Sequence, residues 1–269
     1  MFLFFEGEII KEDQFRLSYE NRALNYGDGL FETMKYNGEK LCYLSAHLER
    51  LAAGAKAFHL KVPDILTESF LQKTVRDLSS ANGLKQARVK ILLWRKTGGL
   101  FSPDSQLAEF MITVKEWQGS PAEKQHVIVS SERKNYSALS GFKTLSSALY
   151  IMAGIEKSAK KADDVILLNH SGEIVECLSS NIFWGKDSQI FTPALQTGCI
   201  GGVMRKQIIE RLKKETIIVW EGNYPLAEIL KADFAFTSNV GGLSSICRIE
   251  ESAFTKQSET FRMLQEIFS

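Results

Sequence analysis

Three pieces of one stretch decide the reading: GFKTLSSALYIMAGIEKS at residues 141–158, DDVILLNHSGEIVECLSSNIFWGKDSQIFTP at 163–193, and TGCIGGVMRKQI at 197–208. In the first, a lysine stands just before a helical run. In the second, two strand-like runs, DVILL and EIVEC, flank a polar turn at 169–172, a plausible hairpin. In the third, two glycines open another run with helical spacing of apolar residues.

Each piece offers one chemical group. Lys143 could be an ordinary solvated lysine, or an amine that attacks a carbonyl. A cation gains nothing from the N-terminal end of a helix, where the dipole opposes it. Its neighbours Phe142 and Leu145 are apolar and suit an amine sheltered from water. The helix is expected to start near Thr144 or Ser146. Glu173 and Glu176 lie an odd number of residues apart, so a regular strand turns them to opposite faces. One can meet solvent and the other the interior, where a carboxylate needs a partner. Gly201, Gly202, Val203 and Met204 enter a helix, whose free N–H groups form an anion cradle. Many helices begin in this way, so this piece alone is weak. A reactive lysine, a carboxylate able to hold a protonated pyridine nitrogen, and N–H groups for a phosphate are together the parts of a pyridoxal 5'-phosphate site.

The 269 residues suffice for one large domain or two ordinary ones. The net charge of +1 and the scattered basic residues give no electrostatic case for nucleic acid. Cys42, Cys177, Cys199 and Cys247 are far apart, with no zinc spacing and no disulfide framework, which fits a reducing cytoplasm. The opening MFLFFEGEII is interrupted by Glu6 and Glu8 and reads as strand, not as a secretion signal. No apolar run reaches the length of a membrane span. The four histidines show no metal spacing and no triad context, so no metal is expected. QGSPAEK at 118–124 marks a linker. It divides an α+β domain at 1–117 from a second domain at 125–269 that would carry Lys143.

In the first domain, LNYGDGLFETMK at 24–35 brackets Asp28 with two glycines. That suggests either a plain turn or a bent segment where a ligand or backbone approaches closely. Ser45 is the expected N-cap of a helix with buried Leu48, Leu51, Ala52, Ala55 and Phe58. Pro63 is expected to open a second helix that Gly83 stops. Residues 87–94 and 110–114 read as strands of one sheet. The polar loop between them, RKTGGLFSPDSQ, has the character of a specificity loop.

These motifs resemble the class IV aminotransferases, the pyridoxal-phosphate enzymes of fold type IV. The likeness covers nearly the whole chain. It rests on GFKTL, VECLSSNIFW, GGVMR, Y-G-D-G-x-F-E-T and H-L-x-R-L, and is greatest to the 4-amino-4-deoxychorismate lyase branch. It implies two α+β domains with the cofactor in the cleft between them, and a homodimer. Lys143 would carry the cofactor and Glu176 would hold its ring nitrogen. Arg50 and the backbone of Gly202, Val203 and Met204 would bind the phosphate, a planar guanidinium being suited to a dianion. Tyr26, Phe31 and Thr33 would line the substrate side. Ser238 and Asn239 offer a second phosphate contact or are an ordinary turn; both stay open. Departures exist. Ser146 and Ser147 stand where many members have Asn and Tyr, and RKTGGLFSP lacks the R-G-Y element for a substrate carboxylate, for which Arg95 or Lys96 is the candidate substitute. The reading is a lyase forming 4-aminobenzoate and pyruvate, with a branched-chain or D-amino acid transaminase as the alternative. A binding protein that has lost catalysis is a third class.

Overall fold

The computed structural model describes residues 1–254 and 258–268. The chain divides into unit 1, Met1–Gln118 with Phe142–Ser147, and unit 2, Gly119–Gly141 with Ala148–Ser269. Among the described residues, no helix is long and apolar enough to cross a membrane.

Unit 1 is built on one antiparallel sheet. Its strands are β1 (Phe2–Phe5), β2 (Glu8–Lys11), β3 (Gly29–Tyr36), β4 (Ala87–Arg95) and β5 (Ala108–Glu116), in the order β2-β1-β5-β4-β3. Three helices accompany them: α1 (Arg22–Tyr26), α2 (Leu44–Ala57) and α3 (Glu68–Ala81). Period-two alternation decides the faces. Val89, Ile91 and Leu93 point to the core shared with Leu51 and Ala55 of α2 and Leu71, Val75 and Leu78 of α3. Arg88, Lys90, Leu92 and Trp94 therefore line the opposite face.

Two helix starts differ from the sequence expectation. α2 begins after Tyr43, which takes a left-handed φ of 53° and gives no side-chain cap. Ser45 instead donates to Glu68 Oε1 at 2.5 Å, tying the start of α2 to that of α3. α3 begins at Glu68 and not at Pro63, because Thr67 Oγ1 accepts the Phe70 N–H at 3.2 Å.

The largest difference concerns Lys143. A linear division gives it to the second domain, at a helix start near Thr144. In the structure Phe142–Ser147 runs extended along the free edge of β3. Phe31 N donates to the Lys143 carbonyl at 2.8 Å and Leu145 N to the Gly29 carbonyl at 2.9 Å. A strand edge offers unpaired backbone groups, and this segment satisfies them. Phe142 packs on the main core, and Leu145 on the cluster around Trp94. The helix α4 therefore starts only at Ala148 and runs to Ala159.

Unit 2 is layered. One sheet has the order β12-β11-β10-β13-β14-β6, from Val219–Gly222 (β12), Gln189–Pro193 (β11), Asn181–Lys186 (β10), Phe234–Asn239 (β13), Gly242–Ile246 (β14) and Glu123–Lys124 (β6). The other has the order β16-β15-β7-β8-β9, from Ser252–Ala253 (β16), Arg248–Ile249 (β15), Val127–Arg133 (β7), Asp164–Leu168 (β8) and Ile174–Cys177 (β9). β6 lies in the segment read as a linker, and its pairing with β14 makes that segment part of the sheet. Ile166, Cys177, Ile182 and Trp184 join the two sheets in a common core. On the outer face of the first sheet, Phe183 and Phe236 meet Ile208 of α5 (Val203–Lys214) and Phe261 of α7 (Glu259–Phe268). On the outer face of the second, Val165 and Leu167 meet Ala153 of α4. The short α6 (Leu226–Leu230) places Ile229 in the common core. Cover on both faces explains why DVILL and NIFW are continuous apolar runs and do not alternate.

Candidate active site

In unit 1 the candidate residues gather on the sheet face away from α2 and α3. Lys143 Nζ lies 5.1 Å from the centre of the Phe31 ring. Thr33 is two residues along β3 and shares that face. Lys90 is the cross-strand partner of Thr33, and its Nζ lies 4.6 Å from the same Phe31 ring. The two glycines of YGDG serve backbone approach. A Cβ on Gly29 would sit 2.3 Å from the Leu93 carbonyl oxygen. Gly27 takes a φ of 61°, and a Cβ there would sit 3.0 Å from Ser146 N. Both let the Lys143 segment lie close to β3. Tyr26 ends α1, with its ring 5.8 Å from that of Phe101 and 4.9 Å from the Arg22 guanidinium.

Arg95 has a different setting from a substrate ligand. Its Nε donates to Asp28 at 2.9 Å, Nη2 to the Phe58 carbonyl at 2.7 Å, and Nη1 to the His59 and Ser105 carbonyls at 3.2 and 3.3 Å. Arg22 Nε also donates to Asp28, at 2.8 Å, and its Nη1 reaches the carbonyls of Gly98, Gly99 and Leu100. Two buried arginines and one aspartate thus anchor the loop at 96–107. Sequence reading saw the arginine and missed the clamp, since its partners are mostly carbonyls.

Arg50 meets Glu32. Nε donates to Oε1 at 2.7 Å and Nη2 to Oε2 at 2.6 Å, while His47 Nδ1 lies 2.7 Å from Oε2. Burial raises the Glu32 carboxyl, but the bonds and charges of Arg50 and His47 outweigh it, so the net shift is downward. Glu32 lies on the opposite side of β3 from Phe31 and Thr33.

In unit 2, Glu176 is buried among donors. Oε1 accepts from Lys134 Nζ at 2.5 Å and from the Tyr150 hydroxyl at 2.7 Å. Oε2 accepts from Ile200 N at 2.9 Å. As the odd spacing suggests, the two carboxylates are placed differently, Glu176 buried and Glu173 half-buried, although the strand is not regular. The β8–β9 register shifts between Leu167 and Leu168, so Ile174 and Glu176 oppose consecutive residues of β8. Such a bulge re-aims a side chain. It turns Glu176 toward α4, where Tyr150 waits. Burial, then the Glu176 charge and the bond donated to it, hold the Tyr150 phenol far above its ordinary range, so it stays a donor. The Lys134 ammonium also lies 5.4 Å from the Tyr150 ring centre. Neither residue was legible as a partner, because neither is near Glu176 in sequence. Cys199, before Ile200, is inert at neutral pH: burial, then Glu176, push its thiol up to about 11.

The same loop leads to α5. Gly202 is its N-cap and supplies no side chain, leaving the first turn uncapped by side chains. A Cβ on Gly202 would lie 2.0 Å from Asn181 Oδ1. Asn181 Nδ2 donates to the Ile200 carbonyl at 2.8 Å, and Asn181 is the cross-strand partner of Ser238. Glu176, the start of α5, Asn181 and Ser238 are therefore brought together in unit 2. Asn239 is engaged elsewhere: its Oδ1 accepts from Ser120 Oγ at 2.9 Å and Gly241 N at 2.7 Å.

The family model described as amino-transferase class IV matches residues 29–249, the greater part of the chain. This chain belongs to that family. An aminodeoxychorismate lyase of Vibrio harveyi is 28% identical over 232 residues, covering 81% of this chain and 82% of that protein. A probable branched-chain-amino-acid aminotransferase of Rickettsia typhi is 32% identical over 234 residues, covering 85% and 80%. The solved branched-chain aminotransferase of Thermoproteus uzoniensis superposes with a TM-score of 0.89 at 26% identity, covering 99% of this chain and 93% of that one.

As a class IV member this chain is a pyridoxal-phosphate-dependent enzyme. Its residues fit that group on their own terms. Among the described residues, Ser238 Oγ is buried without a hydrogen-bond partner, an unusual cost unless a ligand meets it. It stands across β10 and β13 from Asn181, which contacts the glycine start of α5, and a helix start favours a phosphate.

Proposed function

We propose that this enzyme is a lyase that converts 4-amino-4-deoxychorismate to 4-aminobenzoate and pyruvate. The observation that carries the reading is the character of the face around Lys143. Thr33 is buried there beside Phe31, with Lys90 opposite. A hydroxyl and an ammonium suit an acidic, oxygen-rich substrate. A branched aliphatic side chain would gain nothing from them and would leave them poorly solvated. The likeness to an aminodeoxychorismate lyase over four-fifths of both proteins supports the same reading. So does Met204, whose side chain has no N–H or O–H to donate at the start of α5.

Bound pyridoxal phosphate supplies an aldehyde that condenses with amines and a ring that takes up an electron pair. Lys143 would be the amine that holds the cofactor, and its free amine would serve as the base for the substrate proton next to the amino group. Glu176 would keep the cofactor's ring nitrogen protonated, its own position fixed by Lys134, Tyr150 and Ile200 N. The N–H groups at the start of α5 and the Ser238 hydroxyl would bind the phosphate, and Arg50 would be a further cation for it.

A second reading, branched-chain aminotransferase, is favoured by the 32% identity to the Rickettsia protein. One assay separates the two. With 4-amino-4-deoxychorismate, the lyase releases pyruvate and 4-aminobenzoate and transfers no amino group. Amino transfer from branched-chain amino acids to 2-oxoglutarate, without pyruvate release, would overturn the proposal.

A further inference from the structure

The turn at 178–180 carries the chain from one sheet of unit 2 to the other, from β9, which bears Glu176, to β10, which opens at Asn181. A turn that changes sheets lies outside both ladders, so its backbone groups need other partners. Each of its residues is held. Leu178 N donates to Asp164 Oδ1 at 3.2 Å. The Ser179 carbonyl accepts from Asn239 Nδ2 at 3.3 Å. Ser180 Oγ accepts from Lys124 Nζ at 3.5 Å, and its carbonyl accepts from Cys177 N at 2.9 Å. Asp164 and Lys124 form an ion pair through Asp164 Oδ2, with side chains only 5% and 8% exposed. Lys124 belongs to β6 at the edge of the first sheet, in the stretch that reads as a linker, and Asp164 opens β8 in the second. The pair therefore clasps the two sheets where the turn crosses between them.

Stability alone does not account for such a pair. A buried ion pair gains little over apolar residues of similar volume, because desolvation offsets the attraction. What the charges add is direction. Asp164 Oδ1 accepts from Leu178 N and Val165 N, while the Lys124 ammonium reaches Ser180. We propose that Lys124 and Asp164 are positioning residues that hold the 178–180 turn and so set the spacing between the Glu176 carboxylate and the Asn181–Ser238 pair. The inference rests on the reading of Glu176 as the ring-nitrogen partner and of Ser238, with the start of α5, as the phosphate site. A flat ring with a phosphate on one side is a rigid ligand, and groups that grip both of its ends must themselves stand at a fixed distance. Lys134 and Tyr150 aim the Glu176 carboxylate; the Lys124–Asp164 pair fixes how far it stands from the phosphate end.

The test uses the cofactor-loaded enzyme, and its first part needs no variant. The Leu178 amide lies in a turn, yet hydrogen exchange should find it as protected as the amides of β9 and β10. Fast exchange at Leu178 would overturn the proposal. Two double variants then separate positioning from stability. Lys124→Met with Asp164→Asn removes both charges and keeps an acceptor for Leu178 N. Lys124→Met with Asp164→Val removes that acceptor as well. The first should release cofactor on dilution at close to the parent rate and keep Leu178 protected. The second should release it about tenfold faster or more, as expected when one well-placed hydrogen bond is lost, and should open Leu178 to exchange. Chemical denaturation of both variants shows whether global stability differs. Equal release from the two, or release that follows the denaturation midpoint alone, would overturn the proposal. Parent protein that takes up no cofactor would instead defeat the functional reading, and exchange at Leu178 would still decide whether the pair holds the turn.

Discussion

Two charged regions of this molecule are organised in opposite ways. Around Glu176 in unit 2, the buried carboxylate already has an ammonium, a phenol and a backbone N–H. On the Lys143 face of unit 1, Lys90, and then Lys35, Arg88 and Lys115, stand in adjacent rows across β3, β4 and β5 with no carboxylate among them. The first arrangement is complete before any ligand arrives and fixes a group in place. The second is incomplete, with like charges side by side, which costs stability. The two units thus treat charge in opposite ways, and each leaves its own thermodynamic mark.

The largest effect should come from breaking the complete region. Lys134→Met leaves Glu176 buried without its cation, and removing one member of a buried pair costs about 3–5 kcal/mol. Lys134→Met combined with Glu176→Gln should recover much of that loss, since neither charge is then left alone. Chemical denaturation of the single and double variants measures both. Equal loss in the single and double variants would mean that the lone buried carboxylate is not the source of the cost.

The incomplete region should show the reverse sign and a smaller effect. The Lys90 amine is lowered in the folded state, so its protonated form is relatively disfavoured by folding. That destabilisation is full below the folded value and fades as pH rises toward the unfolded value near 10.5. Lys90→Met keeps an apolar chain against Phe31 and removes the charge. It should melt slightly higher than the parent at neutral pH, with the gap closing in alkali. A lower melting temperature at neutral pH would show that Lys90 supports the sheet and is not held there at a cost.

Much of this was legible in sequence, for identifiable reasons. Helical and strand periods located α2, α5 and the β8–β9 hairpin. The Gly-Gly entry to α5 was visible because it is local. What stayed hidden depends on long-range pairing. The extended course of Phe142–Ser147 is set by the edge of β3, over one hundred residues earlier, which overrides the helical tendency of its sequence. The bulge in β9 leaves no composition signal, so the tilt of Glu176 toward Tyr150 could not be read. Tyr150 reaches Glu176 from α4, and Lys134 from the end of β7, both distant in sequence. Arg95 looked available because its carbonyl partners have no sequence signature.

The most direct test concerns Lys143, because Lys90 is a rival amine near the same aromatic ring. The cofactor-loaded enzyme is reduced with borohydride, digested, and mapped by mass spectrometry. The cofactor label should fall on Lys143 alone, and Lys143→Ala should abolish it while Lys90→Met retains it. A label on Lys90, or on any other lysine, would contradict the account.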